Sequence, residues 1–204
     1  MLGSPESGRA LDRAAIQRAF EGLEAHLATR GLRAHIYIVG GAALMLAHRR
    51  SRSTMDVDAL LIDHRDAVLA AARSVAQQQG LHDNWLNDEV LWISVLPTQP
   101  DVRAKVYFDS PHLVVTGASA AHVLAMKVQA ARGRDLEDIK ALVRELEITT
   151  MDEVREIHRA VYPHDAIPLR SELRVEDCLR EVAEERGHQG HSGRHSRHAG
   201  GHER

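Results

Sequence analysis

At 204 residues with 44% hydrophobic residues, the chain is long enough to bury a sizeable core arranged as one or two small lobes. A formal net charge of −3 argues against broad nonspecific nucleic-acid binding, and an aromatic content of 3% argues against stacking readout of several bases. No apolar run of about 18 residues occurs, and Glu6, Arg9, Asp12 and Arg13 interrupt the N-terminus, so the expectation is a cytoplasmic protein with no membrane partner.

In chain order, Leu11 to Arg30 carries Ile16, Phe20, Leu23 and Leu27 at helical spacing and stops before Gly31, which predicts an opening helix. Residues 34–39 (AHIYIV) read as a short buried strand, closed by Gly40-Gly41 before residues 42–47 restart as a helix. A basic, hydroxyl-bearing loop over 49–54 leads to a second strand carrying Asp56 and Asp58. His64 to Gln79 is a predicted helix with Asp63 as N-cap and Gly80 just past its end. Val90 to Leu96, Val102 to Phe108 and Leu113 to Val115 are predicted strands, separated by Pro97, Pro100 and Pro111. From Ser119 the pattern is helical over 119–132, 135–147, 151–161 and 171–186, with Thr150 and Glu153 forming a capping box. The expected fold is an α/β (α+β) core with a mixed sheet over 1–118 and a helical lobe over 119–186. A disordered His- and Gly-rich tail over 187–204 is expected to bind Zn²⁺ or Ni²⁺ only adventitiously. Cys178, the single cysteine, has no internal disulfide partner and is expected to pack.

Residues two apart in a strand share a face, so Asp56 and Asp58 are expected to project together while Met55, Val57 and Ala59 pack the other way. Two hard oxygen ligands suit Mg²⁺, or Mn²⁺ in its place, because magnesium takes one or two carboxylates and completes its shell with water and substrate phosphates. Gly40 and Gly41 feed a helix N-terminus whose free N–H groups form an anion site for a triphosphate. Arg52, Ser53 and Thr54 add a cation and hydroxyls beside the carboxylates. Taken alone, a Gly-Gly pair is a tight turn and Asp-x-Asp is the wet face of an edge strand; their order and spacing favour a nucleotide site.

Gly40-Gly41 followed by Thr54-Met55-Asp56-Val57-Asp58 resembles the signature of the polymerase-beta-type nucleotidyltransferase superfamily, in particular its minimal bacterial members. The segments Gly80 to Asp88, Leu124 to Lys127 and Arg132 to Ile139 resemble the AbiEii and MenT group of toxin nucleotidyltransferases. This resemblance implies that Lys127 reaches the triphosphate, that the acceptor is a tRNA 3′ end or another RNA, and that a cognate antitoxin is a partner. Asp135 has a second possible role as N-cap of the following helix, and either it or Asp138 would orient the lysine. Such sites often carry a third carboxylate, for which Asp109 and Asp88 are the candidates. Trp85 is expected to anchor the core rather than to stack on a base.

The functional expectation is transfer of an NMP from an NTP to an RNA hydroxyl, with inhibition of translation and growth as the outcome. The alternatives are transfer to a protein or small molecule, and a noncatalytic antitoxin or regulatory module, which the intact Asp-x-Asp pair disfavours.

Overall fold

The computed structural model describes residues 9–48, 53–93, 96–130 and 132–192. The chain forms two compact units, residues 1–123 and 124–204.

The first unit begins with α1 (Arg13–Ala28), which starts later than the apolar pattern predicts. Asp12 caps it, its carboxylate accepting the Ala15 N–H at 2.7 Å. Leu11 is drawn instead into a bridge with Thr54: its N–H donates to the Thr54 carbonyl at 2.7 Å, and its carbonyl accepts the Thr54 N–H at 3.0 Å. Leu11 is fully buried, so the bridge fixes the backbone just ahead of Asp56.

Five strands follow: β1 (Ala34–Ile38), β2 (Val57–Leu61), β3 (Leu86–Asn87), β4 (Lys105–Asp109) and β5 (Leu113–Gly117), in the order β3-β2-β1-β5-β4. β1 pairs antiparallel with β2 and parallel with β5, which makes the sheet mixed, as expected. Strand alternation divides the sheet. Ile36, Ile38, Val57, Ala59, Leu113 and Val115 are fully buried on one face. The buried stripes of α1 and of α3 (Arg65–Gln79) complete this core, and a Cβ on Gly22 of α1 would stand 2.9 Å from Val75 Cγ2 of α3. Trp85 is a core anchor, its indole N–H donating to the Ala72 carbonyl at 2.9 Å and its ring lying 6.5 Å from Phe20. The opposite face carries His35, Tyr37, Asp58, Leu60, Val114 and Thr116, all half-buried.

Two expectations in this unit are corrected. Of the strand expected over Val90 to Leu96, residues 90–93 form a single helical turn, α4 (Val90–Ile93), opened by the Leu91 N–H donating to the Asp88 carbonyl at 3.1 Å, while residues 94 and 95 lie outside the described residues. β3 precedes it and takes the place beside β2, and a short apolar run does not by periodicity distinguish a strand from a buried turn. The α3 N-cap is His64, in left-handed conformation with no side-chain cap bond, rather than Asp63. Gly80 closes α3 at φ +65, as the sequence predicts.

The second unit takes up α5 (Ala120–Ala130) from Leu124 and continues with a 3₁₀ turn (Gly133–Asp135), α6 (Leu136–Glu145), α7 (Met151–Val161) and α8 (Leu169–Ser192). Thr150 and Glu153 form the predicted capping box. Burial keeps the His158 imidazole below its usual pKa; its Nε2 pairs with Gln129 Oε1 at 2.7 Å and its ring stacks on Tyr162. α8 runs past the predicted end at residue 186 through Gly187 to Ser192, while residues 193–204 lie outside the described residues. Glu181 and Glu185 of α8 pair with Lys140 and Arg144 of α6. Cys178 is buried and burial pushes its thiol pKa up, in keeping with a packing role.

Candidate active site

Asp58 lies in β2 between two partners: the Val39 N–H donates to its carbonyl at 2.9 Å, and Asn87 of β3 is its register partner. Val39 leads directly into Gly40, which opens α2 (Gly40–His48), so the helix begins on the glycine itself rather than at Ala42. Gly40 has φ +64, and a Cβ built on it would stand 3.3 Å from Asp58 Oδ2. Glycine is therefore required twice, for the left-handed backbone and for the close approach of the carboxylate. Nothing lies within 4 Å of a Cβ on Gly41, which leaves open space at the start of the helix.

Asp56 precedes the strand and is exposed. The Thr54 hydroxyl donates to the Asp56 carbonyl at 2.9 Å and lies 3.5 Å from Asp56 Oδ1. Alternation starts only at Val57, whose N–H donates to the Trp85 carbonyl at 2.6 Å. Val57 and Ala59 pack inward as expected, but Met55 is 51% exposed, because the chain ahead of β2 is a bend rather than extended strand. Ser53 is exposed, and Arg52 lies outside the described residues. A cleft of about 430 Å³ opens on the β3 side of Asp56, lined by Met55, Asp56, His82, Asn84, Asn87 and Glu89. His82, Asn84 and Asn87 belong to the segment that carries the sequence resemblance, whereas no sequence pattern singled out Glu89.

The third-carboxylate candidates have other engagements. Asp109 pairs in register with Val114, itself opposite His35 near the start of β1, while Asp58 sits beyond the end of that strand. Asp109 is thus at the far end of the sheet, 3.8 Å from Arg33. Asp88 is bound by Arg65 through Nε at 2.5 Å and Nη2 at 3.2 Å, which raises the arginine pKa. Sequence reasoning missed Asp101, a loop residue with no motif spacing. Its Oδ2 accepts from the Tyr37 hydroxyl at 2.9 Å and the Ser119 N–H at 2.7 Å, and His122 Nδ1 lies 3.4 Å from Oδ1. Burial works to raise its pKa, but these bonds outweigh burial and hold the carboxyl below its usual range. Through Tyr37 it is tied to the sheet face that carries Asp58.

In the second unit, Lys127 of α5 is nearly buried, with Nζ 2.7 Å from Asp135 Oδ1 and 2.9 Å from Asp138 Oδ2. Asp135 stands at the N-cap of α6 but makes no side-chain cap bond; its carboxylate serves the lysine. Both acids flank Lys127, so the two candidate positions are filled together.

A mixed α+β sheet whose glycine turn abuts a strand carboxylate, followed by a helical part, defines a nucleotidyltransferase-like core. Residues 14–167 match the model of the family described as "Nucleotidyltransferase of unknown function (DUF6036)", and the chain belongs to that family. That membership carries transferase chemistry and an NTP substrate, while the AbiEii and MenT likeness goes beyond it. No curated protein and no solved structure matches the chain. Among the described residues, no helix is long and apolar enough to cross a membrane.

Proposed function

We propose that the chain transfers an NMP from an NTP to an RNA hydroxyl, a tRNA 3′ end by resemblance, and acts as a growth-inhibiting toxin restrained by a cognate antitoxin. The observation that carries the transferase reading is the contact geometry of Gly40 and Asp58, which sets an anion-binding helix start against a metal-type carboxylate. The segments resembling toxin nucleotidyltransferases support the acceptor and the biological role.

Asp56 and Asp58 fit Mg²⁺. One or two carboxylates are what a cation that retains waters and takes substrate phosphates needs, and Asp58 stands against the glycine turn with Asp56 exposed two residues earlier. Bound there, the metal would supply charge neutralisation for the phosphates and activation of the acceptor oxygen. The chain's own residues do the rest. The N–H groups at the start of α2 would bind phosphate oxygens and Asp56 and Asp58 would orient the reacting group, with the sequence motif adding Ser53, Thr54 and Arg52 as further phosphate ligands. The resemblance to the toxin group gives Lys127 the role of a point charge for a triphosphate, and Asp135 and Asp138 hold its ammonium in place.

Incubating the full chain with each labelled NTP, Mg²⁺ and total RNA tests the reading. Labelled RNA with release of pyrophosphate is the expected result; label in protein or small molecules alone would reassign the acceptor, and no transfer from any NTP would overturn the proposal.

A further inference from the structure

The order β3-β2-β1 places Asp58 between two different neighbours. On the β1 side lies the glycine turn, and on the β3 side lies the cleft lined by Asp56, His82, Asn84, Asn87 and Glu89. In phosphoryl transfer the attacking and leaving oxygens stand roughly in line on opposite sides of the phosphorus. If the triphosphate occupies the glycine side, the attacking hydroxyl enters from β3.

The lining indicates what carries that hydroxyl. Asn87 is only 8% exposed; its Oδ1 accepts the Glu89 N–H at 3.0 Å, and among the described residues its amide nitrogen has no partner. A nearly buried donor that faces a cleft marks a place for an acceptor atom. His82 uses Nδ1 to accept the Asn84 N–H at 3.2 Å, which leaves its other ring nitrogen for a ligand. Glu89 accepts hydroxyl or amine protons and repels phosphate, and no lysine or arginine lines the cleft among the described residues. The cleft's volume suits one sugar ring with a base or a second ring.

We propose that this cleft is the acceptor subsite, and that it takes a hydroxyl-bearing sugar on a neutral or amine-bearing scaffold while excluding phosphate at that position. The proposal rests on the nucleotidyltransferase reading and adds the acceptor's chemistry to it. The sugar hydroxyl oxygen forms a bond to the α-phosphorus, the bond from that phosphorus to the bridging oxygen breaks, pyrophosphate leaves and the hydroxyl proton passes to water. A ribose at an RNA 3′ end and a free amino sugar share this chemistry.

The test uses the full chain with Mg²⁺ and a non-hydrolysable NTP analogue, with binding of adenosine, glucosamine and adenosine 3′-monophosphate followed by ligand-observed NMR. Adenosine or glucosamine should bind, and adenosine 3′-monophosphate should bind at least about tenfold more weakly than adenosine. Binding of adenosine alone assigns a nucleic-acid end, and binding of glucosamine alone assigns a free amino sugar. Asn87→Leu should weaken sugar binding by about tenfold while the affinity for the NTP analogue stays within about twofold. The exposed Glu89→Lys, which leaves the core untouched, should bring the 3′-monophosphate up to the affinity of adenosine. The proposal is overturned by equal binding of the phosphorylated probe to the unaltered chain, by unchanged sugar binding in Asn87→Leu, by unchanged discrimination against the 3′-monophosphate in Glu89→Lys, or by no binding of any probe. Sugar binding without binding of the NTP analogue would instead sink the nucleotidyltransferase reading and the acceptor role with it, leaving the cleft as a sugar site.

Discussion

Asp58 has its backbone held by its neighbours on both sides, so the proposed function predicts that changing its carboxylate alters chemistry far more than folding. Its backbone is fixed by Val39 and β3, while its carboxylate lies on the half-buried face. Asp58→Asn should therefore reduce transfer by about a thousandfold or more with stability changed by no more than about 1 kcal/mol, and the exposed Asp56→Asn should behave likewise. Metal-dependent NTP turnover and the melting temperature measure the two effects, and full activity in either variant would remove both residues from the site. Lys127 is different in kind. Removing its ammonium leaves the buried Asp135 and the half-buried Asp138 without their shared cation, so Lys127→Ala should cost about 1–3 kcal/mol as well as activity. Kinetics at a temperature where the variant remains folded separates the two losses; a variant as stable as the parent would mean that the acids find other partners.

At the scale of elements, α7 owes its start to one exposed carboxylate. Glu153 accepts from the backbone N–H groups of Thr149 and Thr150, and these bonds hold its pKa down to about 2 from the ordinary 4.5. Because the folded-state value is depressed, this contribution is complete above the ordinary value and is lost as pH falls toward the folded one. Amide protection in the first turn of α7, measured against the intrinsic exchange rate at each pH, should fall from about pH 4.5 down to about 2, and Glu153→Gln should remove most of that pH dependence. The β4-β5 hairpin depends on a missing side chain. A Cβ on Gly117 would stand 2.4 Å from Tyr107 Cε2, so Gly117→Ala forces the ring off its place at the β4 irregularity and should cost about 1–3 kcal/mol in a denaturant melt. An unchanged midpoint would show that the ring moves freely.

For the whole molecule, folding and metal binding should be separable. Each unit has its own buried residues, and no metal cage exists among the described residues. Chelation should abolish transfer, added Mg²⁺ should restore it, and the melting temperature without nucleotide should shift by no more than about 1 °C, unlike a protein whose metal is part of its fold. A large drop in melting temperature with chelator would point to a structural metal.

Local patterning determined much of this protein by sequence alone. The stripe of Ile16, Phe20, Leu23 and Leu27, the glycine at the end of α3, the Thr150 capping box and the alternation from Val57 are short-range signals, and a helix or strand is largely a short-range object. The same holds for the glycine turn at Gly40-Gly41, while the approach of Gly40 to the Asp58 carboxylate and the placing of Asp56 ahead of the strand came from the structure. Tertiary structure decided what depends on partners distant in sequence. Arg65 claims Asp88, the sheet order sends Asp109 to the far end, and Leu11 leaves its predicted helix to bridge Thr54. Glu89, absent from every motif, reaches the cleft because β3 stops at Asn87 and the chain turns there into α4. Such assignments follow from which groups meet once the sheet closes, because a carboxylate's role is set by the cation or donor that reaches it, and one-dimensional spacing does not carry that information.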